Sequence, residues 1–272
     1  RNHSATRPSG GCIGDGNSGN NPNLKHAKSP TIVCLAKGAF TASLPAPHSA
    51  SDMDPQMTNF AAARHNMVES QVRPNGITDN RIIDAMAQVK REDFVPAERK
   101  TIAYLDDDVQ LKEGRYLIEP MAFARMIHLA LIKPTDRVLV VGAGTGYGAK
   151  VISMLAKSVV ALESDPDLFS LARDFLAGAT NVEVVEGSLA AGHASGAPYD
   201  VIIVEGRIAA VPENLFAQLA NEGRIVAAVG NTDVSKMQIA TFADGHRSSR
   251  FAFDVSIAPL PGFGLEKAAF VF

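Results

Sequence analysis

From residue 57 onward the apolar positions recur at helical spacing, through NFAAARHNMVESQV and then TDNRIIDAMAQVKREDF. In the second stretch Thr78 suits an N-cap, and Ile82, Met86 and Val89 share one face. PMAFARMIHLALIK predicts a third helix. After it the period changes. DRVLVVG is a short run of β-branched residues and Leu, followed by the glycine-rich GAGTGYG and the amphipathic AKVISMLA, which reads as strand, tight turn and helix. The unit then repeats: SVVALES is strand-like, and Asp165-Pro166 opens a helix with Leu168, Leu171, Ala172, Phe175 and Leu176 on one face.

NVEVVEG, YDVIIVEG and GRIVAAVG add three more apolar strands, with VPENLFAQLA a helix between the last two. Strands alternating with helices at this spacing require right-handed crossovers and a parallel sheet covered on both faces. MQIATFA, SRFAFDVSIAPL and KAAFVF are strands joined by links too short for a crossover helix, so at least one pair is expected to be antiparallel. The pattern therefore predicts one α/β domain, a doubly wound Rossmann-like sheet with an N-terminal helical cap and an antiparallel C-terminal strand.

The first 52 residues break this pattern. Gly, Pro, Ser and Asn fill 23 of those positions and no period is sustained, so the segment is expected to lack the apolar surface needed to pack. It holds five Lys or Arg against two acids, a formal +3, which leaves −6 on the remaining 220 residues because the chain totals −3. Met53 or Met57 stands just before the helical sequence, and 1–52 reads as an upstream extension with no folded role; a targeting leader is the alternative that its Ser-rich, acid-poor composition supports. Residues 53–272 form the expected single domain. An acidic body argues against a nucleic-acid surface, and no apolar run reaches the roughly 18 residues of a spanning helix. A cytoplasmic protein is expected, with no signal of its oligomeric state.

Both cysteines, Cys12 and Cys34, lie in the leader, so disulfides, thiolate metal sites and cysteine nucleophiles are excluded from the body. The body histidines His65, His128, His193 and His246 show no ligand spacing, and no metal is expected. His128 reads as structural among core-like neighbours, Asp106–Asp108 as a solvated loop, and Phe251 and Phe253 as one sheet face. The main chemical signal is the turn after the first strand. Gly142, Gly144 and Gly146 let a backbone approach a ligand at the carboxyl end of the sheet, while Tyr147 stands where a dinucleotide fingerprint needs its third glycine. Glu163 ends the second strand, where a carboxylate can accept from two ribose hydroxyls. Together these point to a nucleoside-containing cofactor other than a nicotinamide.

The stretch NMVESQVRPNGITDNRIIDAMAQVKREDFVPAERKTIAYLDDDVQL, with VLVVGAGTGYGAKVISMLA and YDVIIVEGRIAAVPENLFAQLANEGRIVAAVG, resembles the protein-L-isoaspartate O-methyltransferases, which repair damaged proteins. The likeness covers nearly all of residues 60–265. Gly76 to Asp79 and Phe94-Val95-Pro96 carry it more specifically than the glycine turn does. The resemblance implies a class I methyltransferase sheet, S-adenosylmethionine as cofactor, and peptide or protein substrates. It also implies cofactor contacts at Val141, Gly142, Gly144, Gly146, Glu163, Ser164, Gly187, Ser188, Leu189 and Glu205, and substrate contacts at Tyr116, Ile118 and Pro120.

Several family positions are changed. The Gly-Gln-Thr-Ile-Ser-Gln-Pro run, whose Ser helps hold the substrate carboxylate, is here Gly114 to Pro120 with Ile118 in the Ser position and Glu119 in the second Gln position. The small residues after the fourth strand are Glu205, Gly206, Arg207 and Ile208, and Ser188 stands where an acid would face adenine. The catalytic candidates that remain are Asp106, in the family Asp position, and Glu119. Ile118 cannot donate a hydrogen bond, and an ionised Glu119 at ~4 Å from an anionic substrate would cost ~4 kcal/mol at an effective dielectric of ~20. Arg115 or Arg207 would offset this if either faces inward; Tyr116 reads as packing or as a surface for substrate stacking. Isoaspartyl O-methylation is the first expectation. A changed, neutral or cationic acceptor is the alternative, as is a non-catalytic cofactor-binding module.

A chain beginning at Met53 is expected to melt at the same temperature as the full chain, because a segment with so little apolar periodicity cannot offset its ordering entropy. A lower calorimetric midpoint for the shortened chain would show a packed role for the leader.

Overall fold

The computed structural model describes residues 59–264. The leader 1–52 and the expected KAAFVF strand lie outside the described residues. Helix α1 (Phe60–Met67) starts at Asn59, whose side chain accepts from the Ala62 amide at 3.0 Å. It runs on through a π-helical turn, Val68–Val72, into a 3-10 turn that Gly76 ends with φ +78°. Helix α2 (Asn80–Gln88) is capped by Asp79 rather than Thr78: the Asp79 carboxylate accepts from the Arg81 amide at 2.9 Å. The helix also stops earlier than its pattern predicts. Past Gln88 the chain turns Arg91 inward, where the guanidinium donates to the carbonyls of Ala103 and Ile118, both at 2.6 Å.

A hairpin that the sequence did not reveal follows, β1 (Val109–Lys112) and β2 (Arg115–Leu117), turning at Gly114 with φ +71°. Its two strands form a sheet of their own. Helix α3 (Pro120–Ala130) has Pro120 in its first turn and ends at Leu131, which is left-handed at φ 50°. Arg224 accounts for that end: it donates to the Leu131 carbonyl and to Asp136, both at 2.7 Å, which satisfies a carbonyl the helix leaves free.

The remaining elements alternate: β3 (Arg137–Val141), α4 (Tyr147–Ser153), β4 (Ser158–Glu163), α5 (Pro166–Leu176), β5 (Val182–Glu186), β6 (Tyr199–Ile208), α6 (Glu213–Phe216), β7 (Leu219–Val229), β8 (Ser235–Ala243) and β9 (His246–Val255). The seven strands order as β5-β4-β3-β6-β7-β8-β9, parallel up to β7 and antiparallel in the last two pairings. This is the mixed sheet expected. Strand order reverses at β3, so the carboxyl ends of β3, β4 and β6 border the crevice where such sheets bind ligands.

The two sheet faces are covered unequally. Val138 and Val140 join the core formed with α1 to α5, whereas Leu139 and Val141 face Leu215 of α6, Leu189, Leu260 and Phe263. VPENLFAQLA supplies only a single helical turn there, because Leu219 already pairs into β7. On α5 the buried positions are Leu168, Ala172 and Leu176; Leu171 and Phe175 remain 42% and 41% exposed, so the predicted face is narrower than expected. Phe251 and Phe253 do not share a face either. A register shift sets them opposite adjacent residues of β8, leaving Phe251 62% exposed while Phe253 packs on the core under Arg125. Among the described residues no helix is long and apolar enough to cross a membrane.

Arg91→Ala should cost about 3–5 kcal/mol in urea unfolding, since it leaves two buried carbonyls unpaired and opens a cavity beside Tyr147. A loss below about 1 kcal/mol would show that Arg91 does not hold the cap together.

Candidate functional site

The crevice is built by three strand ends. After β3 the chain makes its glycine turn with φ +80° at Gly142, +58° at Gly144 and +97° at Gly146, values that side chains disfavour and glycine adopts freely. The amides of Gly142 and Ala143 donate to the Leu162 carbonyl at 2.9 and 3.1 Å, which locks the turn onto β4. Thr145 ties it to the cap by donating to the Phe94 carbonyl at 2.6 Å.

Glu163, at the end of β4, has no exposure at all. Its carboxylate accepts from the amides of Gly144 (2.7 Å), Ser164 (2.7 Å) and Asp165 (2.9 Å). Arg115 of the hairpin donates to both of its oxygens, at 2.5 Å on one side. Five donors thus meet a group with about four lone-pair sites, which leaves no acceptor free. Beyond it Ser164 is exposed, the Gly187 amide donates to the Glu163 carbonyl at 2.9 Å, Ser188 is exposed and Leu189 is buried in the second core.

Glu205 reaches the crevice by a different device. The register between β6 and β7 shifts between Val204 and Arg207, a bulge that re-aims the residues it contains. The Glu205 side chain then lies against Gly148 of α4 so closely that a Cβ there would stand 1.7 Å from Oε1. Glu205 is 7% exposed and its Oε1 has no partner. Burial, with Glu163 nearby and in spite of Arg91 and Arg115, pushes its carboxyl up to about 8. Two neighbouring polar atoms are also unpaired, Nη1 of Arg91 and the hydroxyl of Tyr147.

On the other side of the crevice Ile118 is buried, Pro120 begins α3 and Tyr116 is half-buried. Glu119 sits at the start of α3 with its amide donating to Asp108 at 2.9 Å. Partial burial, then Asp106, Asp108 and Asp107, push the Glu119 carboxyl up to about 7. Asp106 itself is exposed and bonds nothing here; Asp108, which the sequence did not single out from its run, receives the amides of Glu119 and Ala258 and lines the crevice. Neither expected arginine faces Glu119. Arg115 is spent on Glu163, and Arg207 donates to the Ile257 carbonyl at 3.2 Å and lies 3.5 Å from Asp233. Arg91 is the cation that acts on Glu119.

The space between these walls is nearly closed. Leu260 packs on Gly142 and Gly206, Leu111 on Gly144, and the cavity that remains measures about 10 Å³, room for about one water. A larger cavity, about 840 Å³, lies elsewhere, between Val89, Phe94, Lys100, Lys150 and Phe175.

Residues 63–262 match the family model described as protein-L-isoaspartate(D-aspartate) O-methyltransferase. A protein-L-isoaspartate O-methyltransferase of Koribacter versatilis (strain Ellin345) is 38% identical over 210 residues, covering 76% of this chain and 95% of that one. Another, from Protochlamydia amoebophila (strain UWE25), is 37% identical over 201 residues, covering 72% and 95%. Among solved structures, a protein-L-isoaspartate O-methyltransferase superposes with a TM-score of 0.64 at 24% identity, covering 73% of this chain and 66% of that one. A beta-aspartate methyltransferase of Plasmodium falciparum, in complex with S-adenosyl-L-homocysteine, gives 0.63 at 20% identity, covering 72% and 97%. These two likenesses speak for the fold.

Between the ordinary carboxyl value of 4.5 and about 8 the folded chain holds a proton at Glu205 that the unfolded chain has lost. Stability should therefore fall as pH rises through that window, by up to roughly 1.4 kcal/mol per pH unit. In Glu205→Gln the fall between about pH 7 and 8.5 should largely vanish, while below about 7 the part due to Glu119 remains. An unchanged slope of urea midpoint against pH would sink this assignment.

Proposed function

The chain belongs to the protein-L-isoaspartate(D-aspartate) O-methyltransferase family, and we propose that it methylates the carboxylate of isoaspartyl residues in damaged proteins. S-adenosylmethionine is the methyl donor of this family and supplies an electrophilic sulfonium methyl. The reading includes a cytoplasmic location and a catalytic domain spanning residues 53–272. The observation that carries it is the built cradle: the Gly142–Gly146 turn with a buried carboxylate at the end of the next strand, on which a ribose diol has its two acceptors. The residues fit the donor once Arg115 leaves that carboxylate and Leu111 and Leu260 move off the glycines they cover. Val141, Gly142, Gly144 and Gly146 would then hold it with Glu163 and Ser164, closed by Gly187, Ser188, Leu189 and Glu205.

The acceptor carboxylate is already ionised at neutral pH, so the chain need not supply a strong base. Its task is to hold and dehydrate the reactants. Tyr116, Ile118 and Pro120 form a wall without side-chain donors in the Ser position, and Arg91 fixes that wall by holding the Ile118 carbonyl. Glu119 carries the polar role. With its carboxyl near 7 it is largely protonated in mildly acidic solution and then donates to an anionic acceptor, as an amide would. Once ionised it repels the same acceptor.

The acidic edge of Asp106, Asp107, Asp108 and Glu119 favours a second reading, a neutral or cationic acceptor such as an amine, with Glu119 binding the cation or taking its proton.

Labelled donor, offered with an isoaspartyl peptide, its aspartyl counterpart or a cell extract, tests both. Base-labile label on the isoaspartyl peptide alone is expected. That rate should fall as pH rises through about 7, and Glu119→Gln should extend it to higher pH. Base-stable label in the extract would favour the second reading instead.

A further inference from the structure

The hairpin β1–β2 lies across the cradle, and its contacts there are of two kinds. Leu111 covers Gly144, where an added Cβ would stand 3.0 Å from the Leu111 methyl. Two cations hold the hairpin to the end of β4 and the start of α5. Lys112 pairs with Asp165 (2.8 Å) and Asp167 (2.9 Å) at the exposed rim. Arg115, 6% exposed, takes both oxygens of Glu163 inside.

A ribose diol can bind a carboxylate only through acceptors, and Arg115 holds those of Glu163. The hairpin is a two-stranded sheet apart from the main one, held besides by Val109, Leu111 and Leu117 packing into the core. Two-stranded hairpins are marginal without such anchors. The Arg115–Glu163 pair is therefore at once the hairpin's buried anchor and an occupant of the donor's subsite.

Building on the donor reading above, we propose that Arg115 is a latch: it holds the β1–β2 hairpin closed over the cradle by standing in for the ribose, and sets donor affinity by competing for Glu163. Binding and closure exclude each other at this carboxylate. Removing the guanidinium leaves Glu163 its three backbone donors, so the carboxylate stays hydrogen-bonded when the latch is cut, though without its countercharge.

Calorimetry with S-adenosylhomocysteine on the full chain and on Arg115→Ala tests this, with Arg115→Gln as the variant that preserves bulk should the alanine form fail to fold. Affinity should rise at least tenfold in the variant. In the ligand-free protein, hydrogen exchange of the 109–117 amides should quicken at least tenfold while that of α3 stays unchanged. Equal affinity overturns the latch and leaves the donor reading standing. Weaker binding by the variant overturns it too, making Arg115 a donor contact. No binding by either chain overturns the donor reading and the latch with it, and unchanged exchange of the hairpin amides overturns the anchoring role alone.

Discussion

One carboxylate with no exposure organises the crevice. Glu163 draws together the glycine turn after β3, the first residues after β4 and a hairpin some fifty residues earlier in the chain, because a buried charge must be neutralised and hydrogen-bonded wherever donors can be brought to it. The backbone donors are local and follow from the strand-turn-helix geometry. The guanidinium is not local, and its arrival decides whether the cradle stands open or closed. A group suited to ligand recognition thus serves in this conformation as the fold's own internal partner.

A second buried cation does comparable work on the far wall. Arg91 ties the carbonyls of Ala103 and Ile118 into one frame and lies 5.0 Å above the Tyr147 ring. Without a carboxylate in contact it stays desolvated, and burial lowers its hold on the proton. Glu205 is the counterpart: a carboxyl pushed into the same region by the β6 bulge, accommodated because residue 148 is glycine. Arginine, tyrosine and glutamate each keep one atom unpaired there. Such groups raise the cost of folding, since a desolvated polar atom without a partner costs about 1–3 kcal/mol. Three of the four buried side-chain atoms without a partner among the described residues lie on this wall.

The changed family positions take on physical meaning in this setting. Ile118 replaces a hydroxyl with apolar surface, yet its carbonyl is still held in place, so the frame around the acceptor survives the loss of the side-chain donor. Glu119 is not simply a misplaced charge. Partial burial and three aspartates push its carboxyl up to about 7, and in its neutral form it can donate. Glu205 fills the space that Gly148, lacking a side chain, leaves open.

The sequence by itself determined the sheet and the turn. Alternation of strands and helices, continuous apolar runs for central strands, and glycines where the backbone must take positive φ are local signals; the parallel strands and the glycine turn appear where the pattern put them, while the VPENLFAQLA helix shrinks to one turn. Glu163 was legible for the same reason, as the last residue of a strand. What the sequence could not settle were the partners. The short hairpin carries too few residues to show a period, the β6 bulge leaves no mark in an apolar run, and helix ends at Gln88 and Leu131 answer to Arg91 and Arg224, which act from a distance. The direction an arginine points is fixed by whichever buried acceptor most needs it. That competition exists only once the chain has brought the acceptors together, so only the tertiary structure could give Arg115 to Glu163, Arg207 to the Ile257 carbonyl, and Arg91 to the wall that Glu119 faces.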